Sequence, residues 1–222
     1  MPNWCENAID ITGTSESIKR LVEDLRENEY KWNETIAPHN VTKEEHDRNW
    51  RNLNIENWGT KWEVGDSSTL ADTIEDNYEE GNDYLSLWFD TAWSPNVEVS
   101  IALSRKYGVE VTHRYEEQGC ELMGRVYIAE DGEVLEHREY DVENFSEVME
   151  FHDGEVPFNW CQLTNRKEES ISVGDMLHYN SGREDPVGVL ISDNELLLVG
   201  EERMIPVGNA DGEFFVNEDY IS

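Results

Sequence analysis

Basic side chains are scarce in this chain. Seventeen Lys and Arg, six of them Lys, face 50 Asp and Glu in 222 residues, for a formal net charge of −33 at pH 7. That deficit excludes a polybasic membrane anchor and a broad electropositive groove for phosphate backbones. It is not the work of a tail, because every quarter of the chain is acidic and residues 121–163 alone hold 12 acids against 2 bases. Cysteine is scarce too. Cys5, Cys120 and Cys161 are odd in number, widely spaced and without a C-x-x-C pair, which argues against a disulfide framework or a structural zinc site. Long apolar runs are missing: Leu196-Leu197-Leu198-Val199 is far too short to cross a bilayer. The opening Met1-Pro2-Asn3-Trp4 has neither the basic nor the apolar region of a leader peptide. The expectation is a cytoplasmic protein with reduced thiols and no membrane contact.

Catalytic signatures are absent as well. The six histidines are scattered, with no H-E-x-x-H and no His–Cys cluster, and no phosphate-cradling glycine motif or D-x-D-x-D-G calcium loop occurs. Paired carboxylates carry little information among fifty acids. A thiol nucleophile would need a histidine brought near it by the fold, and an inert buried thiol is the ordinary outcome. No catalytic residue, cofactor or metal ligand is assigned, and the chain reads as a non-enzyme.

Aromatics are plentiful: eight Trp, nine Tyr and six Phe exclude a disordered acidic chain. Asn7 to Thr12 alternates as a strand. Thr14 or Ser15 then caps a helix whose Ile18, Leu21, Val22 and Leu25 share one stripe. Thr42 with Glu45 forms a capping box for a helix over about 43–56, and residues 67–80 read as a short helix or a loop. Tyr84 to Phe89 is a strand. Ser94 and Pro95 suit the start of a helix that Gly108 ends. Strands follow over 109–115, 121–129 and 133–140, the last two joined by a type I′ turn at Asp131-Gly132, and a short helix surrounds Phe145 and Val148. Beyond Thr164 short strands dominate, at 171–179, 187–192, 196–200, 204–207 and 213–216.

This order predicts an α+β protein: a ferredoxin-like antiparallel sheet with helices on one face over 1–163, then a small all-β domain, barrel or sheet, over 164–222. The word ferredoxin describes topology alone, since no cysteine set for an iron–sulfur cluster is present.

Four stretches act together: Met1-Pro2-Asn3-Trp4-Cys5-Glu6-Asn7, the Trp58-Gly59-Thr60-Lys61-Trp62 turn, Thr91-Ala92-Trp93-Ser94-Pro95, and Tyr115-Glu116-Glu117-Gln118-Gly119 with Gly124. In this combination residues 1–160 resemble the YubB-like proteins of phages and plasmids, which carry a ferredoxin-like domain of unknown function. The resemblance implies a mobile-element accessory protein and supplies no reaction.

Two candidate surfaces follow. The first is acidic: Glu75, Asp76, Glu79, Glu80 and Asp83 form a dense run, and Glu130, Asp131, Glu133, Glu136, Glu139, Asp141 and Glu143 line the second hairpin and its exit. A solvated surface explains any one cluster. The chain-wide excess goes beyond it, since a small domain needs a net charge of only about 2–8 for solubility. The expected partner is a basic host protein, a nucleic-acid-handling or defence component, held and blocked by carboxylates that imitate phosphates; direct nucleic-acid binding is not expected. The second surface is aromatic: Trp4, Trp58, Lys61, Trp62 and Trp93 could line a small-ligand or enzymatic pocket, although Trp at such turns more often fills core. The alternative readings are a virion structural role, salt adaptation as the origin of the acidity, and homo-oligomerisation.

Overall fold

Alternation begins three residues earlier than its apolar pattern suggests. In the computed structural model β1 runs Trp4–Thr12 and turns Cys5, Asn7, Ile9 and Ile11 inward. The structure describes residues 3–65, 67–117, 119, 121–142, 144–154, 160–164, 171, 173, 175–179, 186–192, 195–198, 204–210 and 213–217. They fall into two compact units, Met1–Glu139 and Tyr140–Ser222.

In the first unit, Thr14 Oγ1 accepts the Ser17 N–H at 3.1 Å and starts α1 (Ser15–Glu27), whose expected stripe is fully buried. Helices α2 (Trp32–Ile36), α3 (Lys43–Trp58) and α4 (Ser67–Asn77) follow. Thr42 caps α3 by accepting the Glu45 N–H, and Gly59, at φ 76°, ends it in the left-handed conformation that glycine tolerates best. Strand β2 (Tyr84–Ala92) leads through α5 (Val97–Tyr107) to β3 (Glu110–Glu117), β4 (Leu122–Ile128) and β5 (Val134–Glu139).

All neighbouring strands pair antiparallel, in the order β2-β1-β3-β4-β5. Because β2 and β3 both run against β1, they run parallel to each other, and α5 links them across the intervening strand. That is the split β-α-β unit expected of a ferredoxin-like layout. One sheet face, with Ile9, Ile11, Leu85, Leu87, Val111 and Val126, packs against Leu21, Leu25, Trp32, Leu70, Ile74 and Leu103 of the helices. The other face carries Trp88, Asp10 and Arg114.

Two local expectations are corrected. Helix α5 starts at Val97 behind Asn96, not at Pro95. Ser94 Oγ instead donates to Gly59 O at 2.8 Å, and the buried Asn96 amide donates to Asn33 Oδ1 at 2.8 Å, so both residues are taken up by tertiary bonds. The β4–β5 turn is not type I′, which would need positive φ at Asp131. Only Gly132, at φ 81°, is left-handed; its N–H donates to Ala129 O, and the Ala129 N–H donates to Glu133 O. This is a tight turn followed by a glycine bulge.

The second unit holds α6 (Phe145–Phe151) and the strands β6 (Trp160–Thr164), β7 (Met176–Tyr179), β8 (Pro186–Ser192), β9 (Glu195–Leu198), β10 (Met204–Pro206), β11 (Gly208–Ala210) and β12 (Glu213–Asn217). They form one antiparallel sheet in the order β10-β9-β8-β7-β6-β12-β11 over a core that includes Leu177, Leu190, Leu196 and Val216. The Phe145 ring stacks on Phe215 at 5.5 Å.

Candidate functional site

The segment from Trp58 to Gly65 is sewn along the end of β2. Thr60 Oγ1 donates to Ala92 O at 3.0 Å, and the Gly65 N–H donates to Asp90 O at 2.7 Å. Trp58 is a pillar of the core: it is 3% exposed, its Nε1–H donates to Ala37 O at 2.7 Å, and the His39 ring lies 4.5 Å away. The other three expected tryptophans stay at the surface, with Trp4 43%, Trp62 36% and Trp93 44% exposed. Trp4 lies over Gly65, where a Cβ would come within 2.8 Å of its ring. Lys61 Nζ sits 4.2 Å above the Trp62 ring. Trp93 occupies φ 72°, an unusual place for a bulky residue, and its N–H donates to Asn3 O at 3.0 Å. The aromatic set is therefore divided between one buried pillar and a half-exposed rim around the loop.

Sequence reasoning missed three polar devices near this rim. Glu63 accepts the N–H groups of Asn33 at 2.6 Å and Glu34 at 3.0 Å, so it caps α2 from thirty residues away, where Lys31 offers no side-chain cap. Burial pushes its carboxyl above the usual range, and the bonds from Asn33, Glu34 and Val64 pull the other way. Asn54 Oδ1 meets both His39 Nε2 at 2.8 Å and His46 Nε2 at 3.4 Å. Beneath the sheet, Ser100 Oγ, His113 and Asn7 form a buried chain, with contacts of 2.9 Å at His113 Nδ1 and 2.9 Å at its Nε2. The Asn7 amide donates to Cys5 O, Phe89 O and Thr91 Oγ1. Its Oδ1 must therefore accept the Nε2–H, which leaves Nδ1 to accept the Ser100 hydroxyl. A Ser–His–Asn chain suggests nucleophilic chemistry, yet Ser100 and His113 are fully buried, and burial holds the imidazole pKa at about 3. The network orders the core. Cys5 is equally sequestered, its thiol pushed up to about 12 by burial.

The described acids of both expected clusters are exposed, but the fold separates them. Glu75, Asp76, Glu79, Glu80 and Asp83 run from α4 into β2, one edge of the first sheet, whereas Glu130, Asp131, Glu133, Glu136 and Glu139 belong to the hairpin of β5, the opposite edge. Asp141 is exposed beyond β5, and Glu143 lies outside the described residues. Asp131 Oδ1 accepts the Glu133 N–H at 2.9 Å, and cations hold Glu75 and Glu80. Arg26 grips Glu75 with both Nε and Nη2 while the Tyr30 hydroxyl donates to it, and Lys19 meets Glu80 at 3.0 Å. The Tyr30 and Arg26 bonds hold the Glu75 carboxyl below the usual range. Cys120 and the side chain of Cys161 lie outside the described residues. Among the described residues, no group of three or more His, Cys, Asp or Glu converges to hold a metal ion, and no helix is long and apolar enough to cross a membrane.

An antiparallel sheet built on a split β-α-β unit, with helices packed on one face, defines an α+β protein with a ferredoxin-like domain of unknown function. Residues 57–156, just under half of the chain, match the family model described as a ferredoxin-like domain in Api92-like protein. A solved structure, the protein api92 from Yersinia pseudotuberculosis, aligns at 12% identity over 65% of this chain and 100% of its own, with a TM-score of 0.35. No curated protein matches.

Proposed function

We propose that the chain is a non-catalytic accessory protein of a phage or other mobile element, which binds a basic host protein and blocks it. The observation that carries this reading is the exposure of carboxylates along both edges of the first sheet in a chain of net charge −33. Such a surface repels nucleic acid and attracts proteins built to hold it, so the partner class is a nucleic-acid-handling or defence component of the host cytoplasm. The resemblance of residues 1–160 to YubB-like proteins supports the mobile-element origin. Burial of Ser100, His113 and Cys5 supports a binding role over catalysis.

The test is affinity capture from host lysate at about 50 mM and about 500 mM salt, where the Debye length falls from well above to well below 10 Å. Basic proteins retained at low salt, released at high salt and displaced by duplex DNA are the expected result. An empty low-salt eluate sinks the proposal. A second reading, a small-ligand pocket, is favoured by the half-exposed rim of Trp4, Trp62 and Trp93 beside Lys61. A cationic or aromatic ligand that quenches Trp fluorescence in the wild type, and not in Trp62→Ala, would bring that reading forward.

A further inference from the structure

Helix α3 is broken in its middle with neither proline nor glycine to break it. Asn49, at φ −137° and ψ 23°, is non-helical inside Lys43–Trp58. Apart from His46, every residue from Thr42 to Asn52 is exposed, so little packing holds the half before the break. In a straight helix His46 and Asn54 would stand about 12 Å apart along the axis. Here His46 Nε2 is 3.4 Å from Asn54 Oδ1, and His39, from the link between α2 and α3, brings its Nε2 to 2.8 Å from the same atom. The two imidazole rings lie 4.8 Å apart. The core positions two of the three groups. Asn54 is buried and its Nδ2–H donates to Lys61 O at 2.8 Å, which fixes Oδ1 as the atom that faces the rings. The His39 ring packs on Trp58. A hydrogen bond of 3.4 Å is long, and by itself offsets a broken helix poorly.

We infer that His39 Nε2, His46 Nε2 and Asn54 Oδ1 form a binding site for a divalent transition-metal ion of the Zn²⁺ class. Imidazole nitrogens suit Zn²⁺, Cu²⁺ and Ni²⁺, whereas Mg²⁺ and Ca²⁺ take oxygen ligands throughout. The set holds only two of the usual His, Cys, Asp and Glu ligands, so the amide oxygen is essential to it. A tetrahedral ion with bonds of about 2.0–2.1 Å holds its ligand atoms about 3.4 Å apart, and an octahedral one about 3 Å apart. Contacts of 2.8 and 3.4 Å are close to that spacing before any ion enters. With each ring proton on Nδ1, both Nε2 lone pairs point at the Oδ1 lone pairs, and a cation satisfies all three at once. Both rings are half-buried, which leaves a side open to water as the remaining ligand. The net charge of −33 raises the local concentration of cations. A bound ion ties the half of α3 before Asn49 to the half after it and to the α2–α3 link, as a clasp.

The probe is Zn²⁺ itself, titrated calorimetrically into the whole chain with Mg²⁺ in excess to occupy loose carboxylate sites. One Zn²⁺ per chain is expected. The imidazole NMR resonances of His39 and His46 should shift together, and hydrogen exchange should slow over residues 43–49. His46→Ala removes one ligand from the half of α3 outside the core and is expected to weaken Zn²⁺ at least about tenfold, the least that even an outer-shell partner costs a metal site. His137→Ala, on the exposed strand β5, is expected to leave the affinity unchanged. The imidazole shifts are read in the wild type, so they decide the site even if His46→Ala loosens α3. Zn²⁺ held equally well by the wild type and His46→Ala overturns the site. So does a heat signal that excess Mg²⁺ abolishes, or Zn²⁺ binding that leaves the His39 and His46 resonances unmoved. Binding at both histidines with unchanged exchange over 43–49 overturns the clasp.

Discussion

His113 shows at a single residue how burial converts a surface-type side chain into a structural one. Each of its nitrogens has one partner, and burial first, with His137 second, holds its pKa at about 3 against 6.5. The unfolded chain takes up this proton below pH 6.5 and the folded chain refuses it until about pH 3. Stability from this group is therefore complete above pH 6.5 and lost as pH falls through that window, by at most about 1.4 kcal/mol per pH unit. Urea titrations at pH 7 and pH 5 should show a smaller acid loss in His113→Gln than in the wild type. An unchanged slope would remove His113 from the account. Asn7→Ala should cost about 1–3 kcal/mol at pH 7, because it strands the buried Nε2–H. Trp93 makes the opposite point. It is half-exposed and held at φ 72°, so Trp93→Gly should raise stability by about 1 kcal/mol in thermal melts. If the aromatic rim binds a ligand, the same change should lose it.

Elements governed by near neighbours were legible in the sequence, and those governed by distant ones were not. Helix α1 needed only its Thr14 cap and four apolar residues at helical spacing. The start of α5 was misplaced because the Ser94 and Asn96 side chains go to Gly59 and Asn33, partners more than thirty residues away. Helix α2 escaped notice for the same reason: five residues long, it takes its cap from Glu63. Glu63→Ala should therefore cost about 1–2 kcal/mol and loosen α2, seen as faster hydrogen exchange at Asn33 and Glu34. Slow exchange there in the variant would mean that packing of Trp32 alone holds the helix. Of the candidate sites, the acids were legible as exposed runs. Their placement on opposite edges followed from strand order, which no local pattern encodes. The five-residue tryptophan motif was legible as a motif, but the fold alone decided that Trp58 goes into the core and Trp62 stays out.

At the scale of the whole molecule, a charge of −33 acts on stability and association in opposite directions. Self-repulsion weakens the folded state, and salt screens it, so the melting temperature should rise with salt while partner affinity falls. A global field alone treats every carboxylate alike, whereas a docking edge does not. Reversing Asp76, Glu79 and Asp83 to Lys, and separately Glu130, Asp131 and Glu133 to Lys, changes the net charge equally at opposite edges of one sheet. Long-range steering predicts equal reductions in association rate for the two triple variants. Docking on one cluster adds a faster dissociation to that variant alone, with a total loss in affinity of at least about tenfold relative to the other. Stopped-flow association and dissociation of a captured basic host protein separate the two. Identical dissociation rates in both variants would return the acidity to a field spread over the whole surface.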